Sequence, residues 1–183
     1  MLQVLNNHSI FENKTVRGAL KVLSTLIDWN DITYFNCCMD KIREFLRQKH
    51  LRTGAFQCLG ALVGKGMAEL DKLNIIRSSG YLEEVRDATY NLLNNFEEYE
   101  GTDEYDEEKN YMIAVSTSVS HIGKWCISLQ KPEEGKIDPF TEPSSREFFS
   151  QVSQFLLEKA IAILDTDCFE VGWPMIDFLT PWI

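Results

Sequence analysis

Residues 51–76 read LRTGAFQCLGALVGKGMAELDKLNII, and this stretch decides the fold class. Ala55, Leu59 and Leu62 recur at helical spacing, which predicts a helix with one buried stripe. Gly66 then interrupts the pattern, and the apolar spacing restarts beyond it. The stretch therefore predicts two helices joined by a tight glycine turn. Such a pair leaves apolar surface on both sides, so neighbouring pairs must cover it.

The remainder of the chain repeats this organisation. Helical spacing predicts three helix pairs and the start of a further unit, at about 13–48, 51–96, 107–164 and 165–183. An acidic loop at 97–108 and a proline-containing loop at 130–143 join the later pairs. No stretch sustains the alternation typical of a strand. We therefore predict an all-α protein, a HEAT-like helical-repeat solenoid (an α-α superhelix) in which each pair contacts mainly its neighbours.

Three local features sharpen this prediction. Gly80 is compatible with one long helix that bends there and equally with two shorter helices. Ser144 and Glu147 have the spacing of a capping box at the start of a helix. The four tryptophans lie on or beside apolar stripes and are interpreted as packing anchors rather than base-stacking platforms: Trp29, Trp125, Trp173 and Trp182.

The charge of the chain is unevenly distributed. The formal net charge is −10. Residues 1–90 contain 12 Lys and Arg against 10 Asp and Glu, whereas residues 91–183 contain 6 against 18. This asymmetry excludes a uniformly basic sleeve for nucleic acid, but it is compatible with a locally basic surface in the first half.

The composition also bears on the cellular context. The sequence contains no apolar run of transmembrane length and does not start like a signal peptide. Its five cysteines are odd in number and lack C-x-x-C spacing, so we expect reduced, mostly buried thiols in a cytosolic or nuclear protein. The apolar ending at 181–183 carries no polar cap, which is the pattern of a fragment of a longer array.

The sequence contains no recognisable catalytic set. His8, His50 and His121 are far apart, and a nucleophile–base pair of Cys168 with His121 is an enzyme hypothesis that only chance spacing supports. Metal-ligand spacing and a phosphate-binding glycine loop are both missing from the sequence. We therefore expect no enzyme, no cofactor and no metal site.

The best candidate for nucleic-acid contact is a basic set in and after the second helix. Its members are Lys41, Arg43, Arg47, Lys49 and Arg52. Arg43 and Arg47 are four residues apart and project together from a helix, where they can contact phosphates without reading bases. The alternative is an ordinary solvated face, because Asp40 and Glu44 lie in the same helix.

The acidic loop is the second candidate surface. Eight of the twelve residues at 97–108 are acidic: Glu97, Glu98, Glu100, Asp103, Glu104, Asp106, Glu107 and Glu108. Like charges repel, so the simple interpretation is an open, solvated loop. The alternative interpretation is an interaction loop for a basic protein partner.

One ordered series of residues resembles a known family. It comprises Arg52, Ala55, Cys58-Leu59, Val63, Lys65-Gly66-Met67 and Asp71-Lys72, preceded upstream by Ile27-Asp28-Trp29 and Asp31-Ile32. The series resembles the tRNA exportins (exportin-t) of the importin-β, or karyopherin, superfamily. The resemblance covers about residues 20–76 and extends to the rest of the chain only in pattern.

The resemblance implies a nuclear export receptor that shuttles between nucleus and cytoplasm. Its partners would be tRNA, held along the inner surface of the solenoid, together with Ran-GTP and nucleoporins, with no membrane insertion and no small-molecule substrate. No short motif carries these contacts, so no residue role is transferred. The alternatives are a HEAT-type scaffold that binds only proteins and an exportin for another cargo.

Overall fold

The computed structural model describes residues 2–31, 35, 38–95, 102, 104–130 and 139–180. The α-helices in these residues are α1 (Leu2–Asn6), α2 (Asn13–Trp29), α3 (Met39–Leu46), α4 (Arg52–Gly64), α5 (Glu69–Ser79), α6 (Tyr81–Asn95), α7 (Tyr105–Gln130), α8 (Pro143–Leu164) and α9 (Phe169–Leu179). A short 3-10 helix, His8–Ile10, follows α1. The described residues contain no strand, so the predicted all-α class is confirmed.

Helices α2, α4, α7 and α9 form one row, in which each helix packs against the next. Two hydrogen bonds fix the relative direction of α2 and α4. The Cys58 thiol donates to the carbonyl of Leu20 at 3.3 Å, and the Lys65 amine donates to the carbonyl of Ile27 at 2.7 Å. Both partners advance in the same direction along their helices, so α2 and α4 run parallel.

The same direction continues through the row. Arg52, at the start of α4, pairs with Glu108 near the start of α7. Further along, Gly60 lies against the Ser118 side chain. Helices α4 and α7 are therefore also parallel. Two ion pairs give the same result for α7 and α9: Lys109–Glu170 and Lys124–Asp177.

A second row consists of α3, α5 with α6, and α8, which carry the chain back between the parallel helices. The ring of Phe149, early in α8, contacts Trp125 near the end of α7, so these two helices are antiparallel. In α3, the Arg43 guanidinium donates to the carbonyls of Ser78 and Ser79 at the end of α5. Helix α8 packs against both α5 and α6. The apolar core lies between the two rows.

The centre of this core is the stretch that predicted the fold. Ala55, Leu59, Leu62 and Val63 are all buried, as their spacing predicted. Tyr81 of α6 is fully buried, and its phenolic oxygen forms a hydrogen bond of 3.0 Å with the Ser118 hydroxyl of α7. A buried hydroxyl pair of this kind satisfies both groups and fixes the register of the two rows.

Gly80 settles the alternative that the sequence left open. Its φ of 78° places it in the left-handed region, directly between α5 and α6. A residue with a side chain is strained there, whereas glycine adopts this conformation freely and ends a helix. Helices α5 and α6 are therefore two separate helices joined by the single residue Gly80.

Two predicted boundaries are corrected. Helix α8 begins at Pro143, and its N-cap residue Glu142 makes no side-chain capping bond, so the predicted capping box of Ser144 and Glu147 is wrong. Proline favours the first helical position because its missing amide would be unpaired there in any case. Helix α7 begins at Tyr105, so the last four residues of the predicted acidic loop are helical.

The tryptophan prediction is correct at one position and wrong at two. Trp125 is partly buried and packs against the core. Trp29 is 83% exposed, because it is the last residue of α2 and lies off the buried stripe, and Trp173 is also exposed. Trp173 stacks on Phe169, with ring centroids 5.3 Å apart, on α9. Trp182 lies outside the described residues.

Candidate functional site

An open groove is lined by residues of α2, α4 and α7 and of the turn before α4. Its volume is about 900 Å³. Helix α4 forms the floor because small residues let it approach both neighbours closely. A Cβ at Gly54 would lie 3.1 Å from the Leu20 side chain, and one at Gly60 would lie 3.1 Å from the Ser118 hydroxyl. Helices α2 and α7 therefore form the two sides of the groove.

The groove is lined mainly by polar and small side chains. Its charged and titratable residues are Arg17, Lys21, Asp28, Lys49, His50, Glu107 and His121. Three cations face two carboxylates, so the lining carries a formal charge of +1 with neutral histidines, although the whole chain carries −10. Ser24, Thr25, Thr53, Gln57, Asn110 and Thr117 add hydroxyl and amide groups. Such a surface offers hydrogen bonds and a weak positive field.

Residues near the starts of α2, α4 and α7 form a charge cluster at one end of the groove. We define the charge cluster as Arg17, Lys49, His50, Arg52, Glu104, Glu107 and Glu108. Glu107 accepts from Arg17 at 3.1 Å and lies 3.2 Å from His50. Glu104 pairs with Lys49, which also lies 3.9 Å from Glu108. The cations come from α2, α4 and the turn before α4, whereas the carboxylates come from the start of α7 and the residue before it.

The charge cluster has a buried pair and an exposed part. The Arg52 and Glu108 side chains are only 19% and 9% exposed, and the Arg52 guanidinium lies 4.6 Å from the ring centre of Tyr111. A buried pair with additional ring contact is costly to break, because either group alone would be left desolvated. The pairs of Glu104 and Glu107 are open to solvent. The hydrogen bond from Lys49 is the main cause that holds the pKa of Glu104 below its usual value.

The predicted basic set does not form one surface. Lys41 and Arg43 lie on α3 in the second row, away from the groove lining. The Lys41 amine donates to Glu44 at 2.6 Å, and Arg43 pairs with Asp40 at 3.6 Å in addition to its backbone bonds.

The other members of that set have different positions. Arg47 is exposed, and its charge acts on Glu84 of α6. Lys49 reaches the groove, whereas Arg52 is held in the buried pair with Glu108.

The predicted acidic set is only partly described. Glu97, Glu98, Glu100 and Asp103 lie outside the described residues. Of the four that are described, Glu104, Glu107 and Glu108 pair with cations of the same chain, and Asp106 is exposed. This part of the acidic run is therefore not the open, solvated loop of the simple interpretation.

The sequence reasoning missed Arg17, Lys21 and His50 as groove residues. Arg17 and Lys21 are four residues apart and share one face of α2, so their i, i+4 spacing was the available signal. His50 gave no signal of this kind, because its neighbour Glu107 is 57 residues away in the sequence.

The residues that carry the family resemblance have a structural role. The Lys65 amine bridges two carbonyls at the end of α2, at 2.7 Å from Ile27 and 3.2 Å from Asp28. It thereby joins the upstream motif to the Lys65-Gly66-Met67 motif. Lys72 lies over the Trp125 ring at 5.3 Å and donates to the carbonyl of Gly64 at 3.5 Å. These lysines connect successive helices and are not groove contacts.

The hypothesised pair of Cys168 and His121 is not brought together. His121 lies in the groove wall on α7, whereas Cys168 precedes α9 near Glu170. Glu170 pairs with Lys109, which is about three helical turns from His121.

None of the described cysteines forms a disulfide bond. Cys38, Cys58 and Cys126 are buried and Cys168 is half-buried, as expected of reduced cysteines. Burial raises the pKa of Cys58 to about 12 and that of Cys126 to about 11. Both thiols are therefore protonated and unreactive at neutral pH.

In the described part of the chain, no three or more His, Cys, Asp or Glu residues are grouped so that they could hold a metal ion. None of its helices combines the length and the apolar character needed to cross a membrane. In comparisons with known proteins, no family model and no curated protein matches the chain.

Proposed function

We propose that this chain is a segment of a nuclear export receptor that resembles the tRNA exportins and binds tRNA together with Ran-GTP. Its helices would form a HEAT-like solenoid. The observation that carries the proposal is the arrangement of the two rows, in which α2, α4, α7 and α9 run parallel and the second row returns the chain. Stacked two-helix repeats produce this geometry, because each repeat adds one helix to each row.

The position of the resembling residues supports the same conclusion. The two motifs that resemble the tRNA exportins meet at the Lys65 bridge between α2 and α4. A lysine that caps the preceding helix fixes the rotation between neighbouring repeats, since it neutralises carbonyls at a helix end. Small rotations of this kind set the curvature of a solenoid. The resemblance therefore falls on residues that would shape the superhelix.

The groove provides a surface for RNA. Arg17 and Lys21 lie on its α2 wall, and hydroxyl and amide groups lie beside them. Lysine, arginine and neutral polar groups are the usual donors to phosphate oxygens, and such contacts position a nucleic acid without reading its bases. RNA and Ran-GTP would each favour one curvature of the solenoid, so binding of one would strengthen binding of the other. Nucleoporin contacts and shuttling between nucleus and cytoplasm belong to the same proposal.

The test is tRNA binding by the full chain at 50 and 200 mM salt, with and without Ran-GTP. We expect binding that requires Ran-GTP and weakens with salt, since phosphate contacts release counterions. Charge reversal by Lys21→Glu should weaken it at least about tenfold at low salt. Lys159→Glu, on α8 in the second row, is the matched control and should have little effect. If Lys21→Glu and Lys159→Glu weaken binding equally, the groove is not the RNA surface.

A HEAT-type scaffold for proteins, or an exportin for a protein cargo, is the second candidate. The pairing of Lys49 with Glu104, just before α7, and of Arg52 with Glu108 of α7 favours it, because fewer cations remain for phosphates. In that case Ran-GTP or a protein partner would bind, and RNA would not bind at either salt concentration. This result would replace the first candidate by the second.

A further inference from the structure

The exposed part of the charge cluster closes one end of the groove. Arg17 and Lys49 belong to two segments that line the groove, and both point at carboxylates of α7 or of the residue just before it. Glu107 itself lines the groove and holds both Arg17 and His50. At this end, carboxylates of the chain occupy the positions from which phosphate oxygens would contact the same cations.

We propose that Glu104 and Glu107 compete with the polyanionic ligand of the groove for Arg17, Lys49 and His50. The ligand displaces these carboxylates when it reaches the three side chains. The inference rests on the proposed RNA function, and it adds a regulatory contact to that site. It requires that the pairs exchange easily while the fold is maintained. Different residues meet these two requirements: the pairs of Glu104 and Glu107 can exchange, and the pair of Arg52 and Glu108 maintains the fold.

The exchangeable pairs are open to solvent on one side. Arg17 and Glu107 are 50% and 34% exposed, and Glu104 and Lys49 are 56% and 35% exposed. Solvent-exposed ion pairs contribute little to stability, because water screens them and ordering two long side chains costs entropy. A phosphate can therefore replace either carboxylate at small cost. Charge-assisted hydrogen bonds to phosphate are comparable in kind to those that are lost.

The pair that maintains the fold is buried. Arg52 and Glu108 are mostly shielded from solvent, and Arg52 also lies over the Tyr111 ring. Breaking this pair would leave a desolvated charge between α4 and α7. Glu108 therefore remains in place while Glu104 and Glu107 are displaced. The start of α7 keeps its position, and only side chains need to move.

Competition changes the salt dependence as well as the affinity. In the wild type, the cations are already neutralised by carboxylates, so RNA binding there releases few counterions. Without these carboxylates, each cation is neutralised by ions from solution, and RNA binding releases them. The slope of log affinity against log salt should then steepen by about 1 to 2, since each phosphate contact contributes roughly 0.7 to 0.9.

The experiment compares tRNA binding of the wild type with that of Glu104→Gln/Glu107→Gln, in the presence of Ran-GTP and at four salt concentrations from 50 to 200 mM. The control is Glu147→Gln/Glu158→Gln, which removes two exposed carboxylates from α8 and changes the net charge equally. We expect the first variant to bind on the order of fivefold more tightly at 50 mM salt, with a steeper slope. The control should match the wild type. Glu107→Gln alone should give a smaller change in the same direction.

Each other outcome is decisive. If the wild type binds tRNA and the two double variants change affinity equally, only net charge matters and the inference is wrong. If the wild type binds and Glu104→Gln/Glu107→Gln is unchanged, the inference is also wrong, while the proposed function stands. If no protein, wild type included, binds tRNA at any salt concentration, both the function and the inference fail. Equal urea midpoints of unfolding for all proteins verify that the fold is intact.

Discussion

Replacing Lys65 by methionine tests how successive helix pairs are joined. The Lys65 amine donates to the carbonyls of Ile27 and Asp28, two of the unpaired acceptors at the end of α2. Methionine is also long and unbranched, so it retains much of the packing of the side chain and removes the charge and the donors. The substitution thus isolates the bridge between α2 and α4.

The expected loss follows from the geometry of the two bonds. A hydrogen bond with one charged partner contributes about 1.5–3 kcal/mol when it is shielded from water. The bond to Ile27 is 2.7 Å long and partly buried, so we count it near the lower limit. The bond to Asp28 is 3.2 Å long and exposed, so it adds little. We therefore expect Lys65→Met to lower the free energy of unfolding by about 1.5 kcal/mol.

Urea unfolding followed by circular dichroism measures this loss. Lys14→Met, an exposed lysine in the first turn of α2, is the matched control and should stay within about 0.5 kcal/mol of the wild type. Hydrogen exchange should also accelerate at the amide of Asn30, which donates to the carbonyl of Leu26 at the end of α2. If Lys65→Met loses no more stability than Lys14→Met, the bridge does not hold α2 and α4 together.

Two further predictions concern the core. Gly123→Ala would place a Cβ 2.4 Å from the Phe178 ring, so it should destabilise the protein by about 1–3 kcal/mol, and Gly123→Ala/Phe178→Leu should recover part of that loss in urea unfolding. Burial raises the pKa of Cys58 from 9.0 to about 12, so the folded thiol keeps its proton while the unfolded thiol loses it above pH 9. Stability should therefore fall between about pH 9 and pH 12, by up to about 1.4 kcal/mol per pH unit from this group. Cys58→Ala should show a shallower decline than the wild type when unfolding is measured at pH 8, 9.5 and 10.5.

The sequence was sufficient to predict the core of α4, because burial there follows the helical period directly. Ala55, Leu59, Leu62 and Val63 are buried as expected. The exposure of Trp29 follows the same period, because Trp29 lies two residues beyond Ile27 and therefore on the opposite side of α2 from the buried stripe.

The capping box at Ser144 illustrates a limit of sequence motifs. The motif is compatible with any nearby helix start, and the actual N-cap, Glu142, lies two residues before Ser144, which removes the register that the motif needs.

The candidate site was less predictable, because its residues meet across helices. Lys49 was identified by its place in a basic run, but Arg17 belongs to another helix and Glu107 is 90 residues further along the chain. A basic run also extends around a helix and continues into the following turn. Lys41 and Arg43 of α3 therefore lie on a different surface from Lys49, although they are close to it in the sequence.

The packing of the helices changes the interpretation of the uneven charge distribution along the chain. Considered along the sequence, a first half at +2 and a second half at −12 suggested two separate surfaces, one for an anionic partner and one for a basic partner. Parallel stacking instead places the start of α7 against the start of α4, so Glu104 and Glu108 face Lys49 and Arg52. In an array of repeats, charges about one repeat apart in sequence become neighbours in space. The opposite charges of the two halves are therefore explained first by pairing between α4 and α7, whereas Lys21, which lies in the groove beyond the charge cluster, keeps the original interpretation.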